Sequence, residues 1–198
     1  MNSRASLAHY IPVSTVDYVL EVLKRYPVVF KVVKPRKTKL GDFRALNKTG
    51  RCQITINNNL EPLNFLITTI HEIAHLYNWM QYKGKIDPHG KEWKRQYVEL
   101  FLPLLTTEYL SLEEVKLLKE HLSNPKASSC SDINLINYFR KEGVKRVEEI
   151  SLGKSFILNG RTFTIEKKLR KRYLCLEEKS QRKYYVNGMA EVEEIELP

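Results

Sequence analysis

Cysteine is scarce in this chain. There are three in 198 residues, and no two of them form a Cys-x-x-Cys pair. That argues against a disulfide framework and against a cysteine-ligated zinc ribbon. Cys52, Cys130 and Cys175 are therefore expected to be reduced, packed thiols. Long apolar runs are missing as well. None approaches the ~20 residues that a membrane-spanning helix needs, so no membrane partner is expected. The opening stretch, MNSRASLAHYIPVSTVDYVLEVLKRYP, intersperses its apolar residues with polar ones. It has no signal-peptide core, which points to the cytoplasm. Internal repeats and low-complexity tracts are also absent. The remaining composition is that of an ordinary globular protein, 42% hydrophobic and 28% charged. The length suffices for one domain with a real core, or for one domain and a small appendage.

Acidic residues are in short supply in one part of the chain only. Residues 1–60 hold 11 Lys/Arg against 3 Asp/Glu, residues 61–140 hold 9 against 10, and residues 141–198 hold 13 against 10. The net charge of +10 is thus carried by sections that flank a neutral centre. Such a distribution attracts polyanions, nucleic acid first.

Periodicity divides the chain into elements. Ser14 or Thr15 is placed to cap a helix in which Val16, Val19, Leu20 and Leu23 recur at helical spacing, and Pro27 ends it. VVFKVV is short and β-branched, a strand. KPRKTKLGDFRAL reads as a basic turn leading into a second strand. RCQITINNNL alternates Cys52, Ile54 and Ile56 on one side, a third strand. A three-strand antiparallel meander is the simple expectation. EPLNFLITTIHEIAHLYNWMQY then carries an apolar helical stripe from Leu63 to Tyr77, with Glu61 and Pro62 suited to its first turn. Helical spacing resumes through Trp93, Tyr97, Leu100 and Phe101. SLEEVKLLKEHLSN has a capping box, Ser111 with Glu114. SDINLINYFRKEG is a further helix, expected to end at Gly143. The tail changes character near residue 144. Two Asn-Gly pairs, Asn159-Gly160 and Asn187-Gly188, are flanked by β-formers and predict hairpins in an antiparallel sheet of about four strands.

The chemistry concentrates in HEIAHLYNWMQYKGKIDPHGKEW, His71 to Trp93, which holds three of the five histidines. His71 and His75 are four apart in a helical pattern, which puts both imidazoles on one face about 5–6 Å apart at Cβ. Two nitrogens can then meet one Zn²⁺ at about 2.0–2.1 Å. Glu72 adjoins the first ligand, and its carboxylate can reach an attacking water without binding the metal. This is the division of labour of HExxH peptidases, in which the glutamate is the general base. A catalytic zinc needs a third protein ligand. The metzincin pattern requires glycine and histidine where this chain has Asn78 and Gln81, so that class fails. Glu92 and Glu99 are formally available as third ligands. His89 is the better candidate: Pro88 holds the chain extended before it, and Gly90 lets backbone approach closely after it. Trp93, one turn below His89, is expected to be a core residue, with lining of the cleft as its alternative role. Tyr77, Tyr82 and Tyr97 lie near the motif, with none assignable as a transition-state donor.

HEIAHLYNWMQYKGKIDPHGKEWKRQ resembles the SprT family of zinc metallopeptidases, with its HExxH, its spaced His-Gly and the aromatic that follows. Upstream, KLGDFR followed by ITINNNL resembles the strand pair that precedes the catalytic helix of that family. The likeness covers about residues 14–105. The family includes the Spartan-type proteases, which degrade proteins crosslinked to DNA. The resemblance implies His71, His75 and His89 as ligands of one Zn²⁺ per chain and Glu72 as general base. It also implies an α+β, zincin-like core, with a protein substrate associated with DNA or other nucleic acid. Many relatives end in a zinc ribbon, which this chain lacks. RTFTIEKKLRKRYLCLEEKSQRKYYVNG stands in that place, with 9 Lys/Arg against 3 Asp/Glu between Arg161 and Lys183. Lys167, Lys168, Arg170, Lys171 and Arg172, with Tyr173, Tyr184 and Tyr185 interleaved, are candidates to grip phosphates and stack bases. The domain organisation expected is a core over residues 1–110, a helical connector over 111–143 and a small β appendage over 144–198. The alternative is a non-catalytic, zinc-containing nucleic-acid-binding protein linked to transcription. A complete ligand set with Glu72 intact favours the enzyme.

Overall fold

The computed structural model describes residues 4–36, 38–45, 51–126, 132–140 and 144–195. The chain divides into two units, Met1–Phe139 and Arg140–Pro198. The architecture is α+β, with one small sheet in each unit. Among the described residues, no helix is long and apolar enough to cross a membrane.

In the first unit, α1 (Arg4–Leu7) and α2 (Val16–Lys24) precede β1 (Val28–Val33), β2 (Gly41–Arg44) and β3 (Cys52–Asn57). The helices α3 (Pro62–Tyr82), α4 (Lys91–Phe101), α5 (Leu112–Ser123) and α6 (Ile133–Tyr138) follow. Thr15 stands at the N-cap of α2 without a side-chain cap bond; its hydroxyl donates to the Pro12 carbonyl at 2.7 Å instead. A 3₁₀ turn over Val13–Thr15 leads straight into the helix and satisfies the Val16 amide through the Val13 carbonyl.

The sheet is not the expected meander. Its order is β1-β3-β2, with β1 parallel and β2 antiparallel to β3. The reason is burial. Cys52, Ile54 and Ile56 are fully buried on one side of β3, while Thr55 and Asn57 are buried on the other. A strand hidden on both faces belongs in the centre of a sheet, and local periodicity does not say which neighbours flank it. The polar side of β3 is closed by Arg36. Its guanidinium donates to Asn57 Oδ1 and Thr55 Oγ1, both at 2.9 Å, and to the Thr55 carbonyl at 3.2 Å.

α3 packs on β2, β3 and α4. It is apolar almost all round, which makes it the buried central helix. Pro62 occupies its first turn, and Lys83 ends it in the left-handed conformation at φ 53°, followed by Gly84 at φ 78°. That reversal lets α4 return onto α3. The capping box of α5 is formed: Glu114 N donates to Ser111 Oγ at 3.2 Å, and Ser111 N donates to Glu114 Oε2 at 2.7 Å. Val115, Leu118, Leu122 and Leu135 join the same core as α3. α6 ends at Tyr138, short of the expected Gly143, which lies outside the described residues.

Among the described residues, the second unit is an antiparallel sheet of six strands rather than about four. These are β4 (Lys145–Arg146), β5 (Ser155–Leu158), β6 (Arg161–Lys168), β7 (Arg172–Glu177), β8 (Arg182–Asn187) and β9 (Glu191–Glu194). Their order is β4-β9-β5-β6-β7-β8. Asn159 and Gly160, at φ 53° and 73°, make the two-residue turn between Leu158 and Arg161. Asn187-Gly188 makes no hairpin, because β8 pairs with β7 while β9 pairs with β4 and β5. There the Asn187 side-chain oxygen accepts from the Met189 amide at 3.1 Å, a local Asx turn. Phe156, Phe163, Ile165, Tyr173 and Cys175 form this unit's core. Cys52 and Cys175 are both buried; Cys130 lies outside the described residues.

Candidate metal centre and its cleft

α3 presents His71 and His75 one turn apart, and the segment before α4 brings His89 to them. The three Nε2 atoms form a triangle: 3.2 Å from His71 to His75, 3.1 Å from His75 to His89 and 3.2 Å from His89 to His71. A ring nitrogen offers one donor or one acceptor along one direction, so three nitrogens facing a common point do not satisfy one another. A cation at that point satisfies all three. Bonds of about 2.0–2.1 Å to a tetrahedral ion separate its ligand atoms by about 3.3–3.4 Å, close to the triangle observed. Burial, and after it the neighbouring imidazoles, lowers His71 to about 2 and His75 to about 3; burial also lowers His89. All three rings are thereby held neutral, the form that ligates metal.

Among the described residues, the group of His, Cys, Asp and Glu side chains placed so that it could hold a metal ion is His71, His75 and His89. Neither Glu92 nor Glu99 joins it; Glu99 instead lies 3.5 Å from Arg95 on an exposed face. Trp93 is fully buried, and its ring lies 4.6, 5.4 and 4.8 Å from those of His71, His75 and His89. It backs the whole triangle. Tyr97 stacks on its far side at 4.9 Å. Tyr77 is committed elsewhere, its hydroxyl donating to the Val22 carbonyl at 3.0 Å.

Glu72 is 7% exposed and lies against β2. Burial, reinforced by Asp42, pushes its carboxyl up to about 8, although the Phe43 amide donates to it. Asp42 itself is held below its ordinary value: burial opposes this, but Lys39 Nζ at 2.7 Å and Arg44 Nε at 2.8 Å prevail. Gly41 makes the approach possible. A Cβ at Gly41 would stand 2.5 Å from Glu72 Oε1 and 2.7 Å from Thr68 Cγ2. Sequence reasoning missed this residue. The signal available was a glycine inside the strand-like LGDFR, which often marks close approach by another group.

These groups share one cleft of about 730 Å³. Thr38, Lys39 and Phe43 line it from the β1–β2 side, Tyr97 and His121 from α4 and α5, and Lys126 from the segment after α5. His121 and Lys126 were also missed. No local pattern connects residue 121 with residue 71.

The candidate nucleic-acid residues lie in the second unit. Lys167 and Lys168 end β6, Arg170 and Lys171 form the turn and Arg172 opens β7; all five are exposed. The interleaved tyrosines are not equivalent. Tyr173 is buried at 4%, and Tyr184 packs on the core beneath Arg161, whose guanidinium lies 4.7 Å from its ring. Tyr185, 65% exposed, is the one of the three free to stack.

No curated protein and no solved structure is similar enough to the chain to be matched with it. The model of the SprT-like family matches residues 19–101, the stretch from α2 to the end of α4. With the three-histidine cluster inside that stretch, the chain carries an SprT-like family domain and, within it, a candidate metal-binding site.

Proposed function

We propose that the SprT-like domain is a zincin-like metalloendopeptidase that cuts proteins associated with, or crosslinked to, nucleic acid. The observation that carries this reading is Glu72, buried in the same cleft as a triangle of neutral imidazoles. His71, His75 and His89 would hold a zinc ion, and that ion would supply Lewis acidity to a water and to a carbonyl in the cleft.

The remaining work belongs to the chain. Glu72 takes a proton from the attacking water at its carboxylate and returns it to the leaving amine. Its buried place in the cleft beside the three histidines suits it to that transfer. The Phe43 amide and the space at Gly41 hold it in one place. Among the described residues, β2 has one sheet neighbour, β3, and Gly41, Asp42 and Phe43 line the cleft. An edge strand in that position offers backbone to an extended peptide, as in β-strand addition. In the second unit, the five exposed cations around the β6–β7 turn and Tyr185 support contact with phosphates and bases.

The test is metal analysis combined with cleavage of a DNA-bound protein. Wild type should hold about one zinc per chain, and His71→Ala or His89→Ala should lose it. Glu72→Gln should keep the zinc and lose the cleavage. A wild type that takes up no zinc after loading overturns the reading. A chain that binds zinc and DNA yet cuts nothing, with DNA affinity indifferent to Glu72→Gln, is the non-catalytic nucleic-acid-binding protein instead. The buried placement of Glu72 beside the triangle favours the enzyme.

A further inference from the structure

The family match ends at residue 101, but the cleft does not. His121, in the last turn of α5, lines the same cavity as the three histidines. It is 3% exposed and has a partner at each ring nitrogen. Nδ1 lies 2.6 Å from Asp132 Oδ2, and Nε2 lies 3.0 Å from the Tyr97 hydroxyl. Asp132 divides its carboxylate. Its other oxygen caps α6, accepting from the amides of Asn134 at 3.0 Å and Leu135 at 3.4 Å.

The direction of this chain follows from its ends. A phenol keeps its proton near neutrality, so the buried Tyr97 hydroxyl donates to Nε2. Asp132 lies below the usual carboxylate value: burial opposes this, and the bonds from His121 and the α6 amides more than offset it. The carboxylate therefore accepts from Nδ1–H. One tautomer of His121 satisfies both partners. At the far end, the Tyr97 ring meets His71 edge-on at 5.8 Å and stacks on Trp93, which touches all three cluster histidines.

We propose that Asp132, His121 and Tyr97 are positioning residues of the metal centre. They form a buried hydrogen-bond chain, running from the cap of α6 through α5 to α4, that fixes the Trp93–Tyr97 wall behind the histidine triangle and so sets its affinity for zinc. The inference rests on the reading of His71, His75 and His89 as the zinc ligands. It assigns the segment after the family match a part in the site. Groups that orient ligands from behind commonly change metal affinity when removed.

The test uses the full chain. Asp132→Asn keeps an oxygen for the α6 cap but presents an amide N–H to Nδ1. That reverses the tautomer and leaves the Tyr97 hydroxyl without its acceptor. Tyr97→Phe deletes the last link and changes one heavy atom. Zinc affinity is measured by competition with a chelating dye, and site geometry by the absorption spectrum of the Co²⁺-loaded chain. Melting of the metal-free chain reports folding. Ser111→Ala is the control, because it breaks the α5 capping box without touching the chain of three. Asp132→Asn and Tyr97→Phe should each weaken zinc binding by about tenfold and shift the Co²⁺ spectrum. The double variant should bind zinc about as the single ones do, since both break one chain. Ser111→Ala should lower the melting temperature and leave zinc affinity alone. If wild type binds zinc and both variants bind it equally tightly, with an unchanged Co²⁺ spectrum, the positioning role is overturned and the metal site stands. The role is likewise overturned if their affinity falls only in step with melting. A wild type that binds no zinc overturns the metal site and this role with it.

Discussion

Gly41 makes room for Glu72: a Cβ on this one strand residue would stand 2.5 Å from the glutamate's Oε1 and 2.8 Å from its Cγ. The position of the candidate base is therefore decided by an absent side chain two elements away in sequence. Gly41→Ala should displace the carboxylate while leaving the three histidines in place. Overpacking of this kind costs about 1–3 kcal/mol of stability. A base misplaced by about 1 Å can lower turnover by about 100-fold. Zinc content by elemental analysis should match wild type, while kcat on a protein substrate collapses. Unchanged turnover in a folded Gly41→Ala chain would show that Glu72 is not held by this contact.

Arg36 should act on the cleft through the sheet. Its guanidinium satisfies Asn57 and Thr55, both buried, and donates to the Leu40 carbonyl at 3.4 Å. Arg36→Ala leaves those acceptors unpaired, at about 1–3 kcal/mol. It also removes one of the bonds to the Leu40 carbonyl, next to Lys39, and both residues line the cleft. Denaturant melts should record the stability loss, and steady-state kinetics should show KM rising more than kcat falls, with zinc retained.

Acid should weaken the first unit through Asp132. Its folded value lies below the ordinary one, so its contribution is present above the unfolded pKa of about 3.9 and is lost as pH falls through the folded value. Melting temperatures of the metal-free chain, taken from pH 6 downward, should fall more steeply for wild type than for Asp132→Asn, which has no carboxyl to protonate. Parallel curves would mean that the pair with His121 carries no linkage.

The β6–β7 turn makes a separate prediction about nucleic acid. Replacing Lys167, Lys168, Arg170, Lys171 and Arg172 with glutamine should weaken DNA binding. It should also flatten its salt dependence, by about 0.7–0.9 in log–log slope for each phosphate no longer neutralised. Tyr185→Ala should reduce affinity for single strands by about 1–3 kcal/mol per base unstacked. Tyr173→Ala should instead destabilise the second unit, because that ring is core. Binding that ignores salt would remove the electrostatic basis of the proposal.

What could be read in the sequence was whatever one element settles by itself. Helical period put His71 and His75 on one face, the capping box of α5 was visible as Ser111 and Glu114, and Asn159-Gly160 announced its turn. Asn187-Gly188 carries the same dipeptide and makes no hairpin, because the partner of β8 is β7 and β9 crosses to the other side of the sheet. The meander failed for the same reason. Strand character is local, and strand order is a contest among distant segments for the buried centre.

The sequence by itself determined the chemistry on offer: a helix bearing His-Glu-x-x-His, a histidine within reach after it and basic sections on either side. Only the tertiary structure decided that three Nε2 atoms meet within 3.2 Å, that Gly41 yields its space to Glu72 and that His121 closes the cleft from a helix beyond the family match. The physical reason is that ligand type and helical spacing are properties of neighbouring residues. Convergence, close approach and desolvation depend on how separate elements pack, and no local pattern records that.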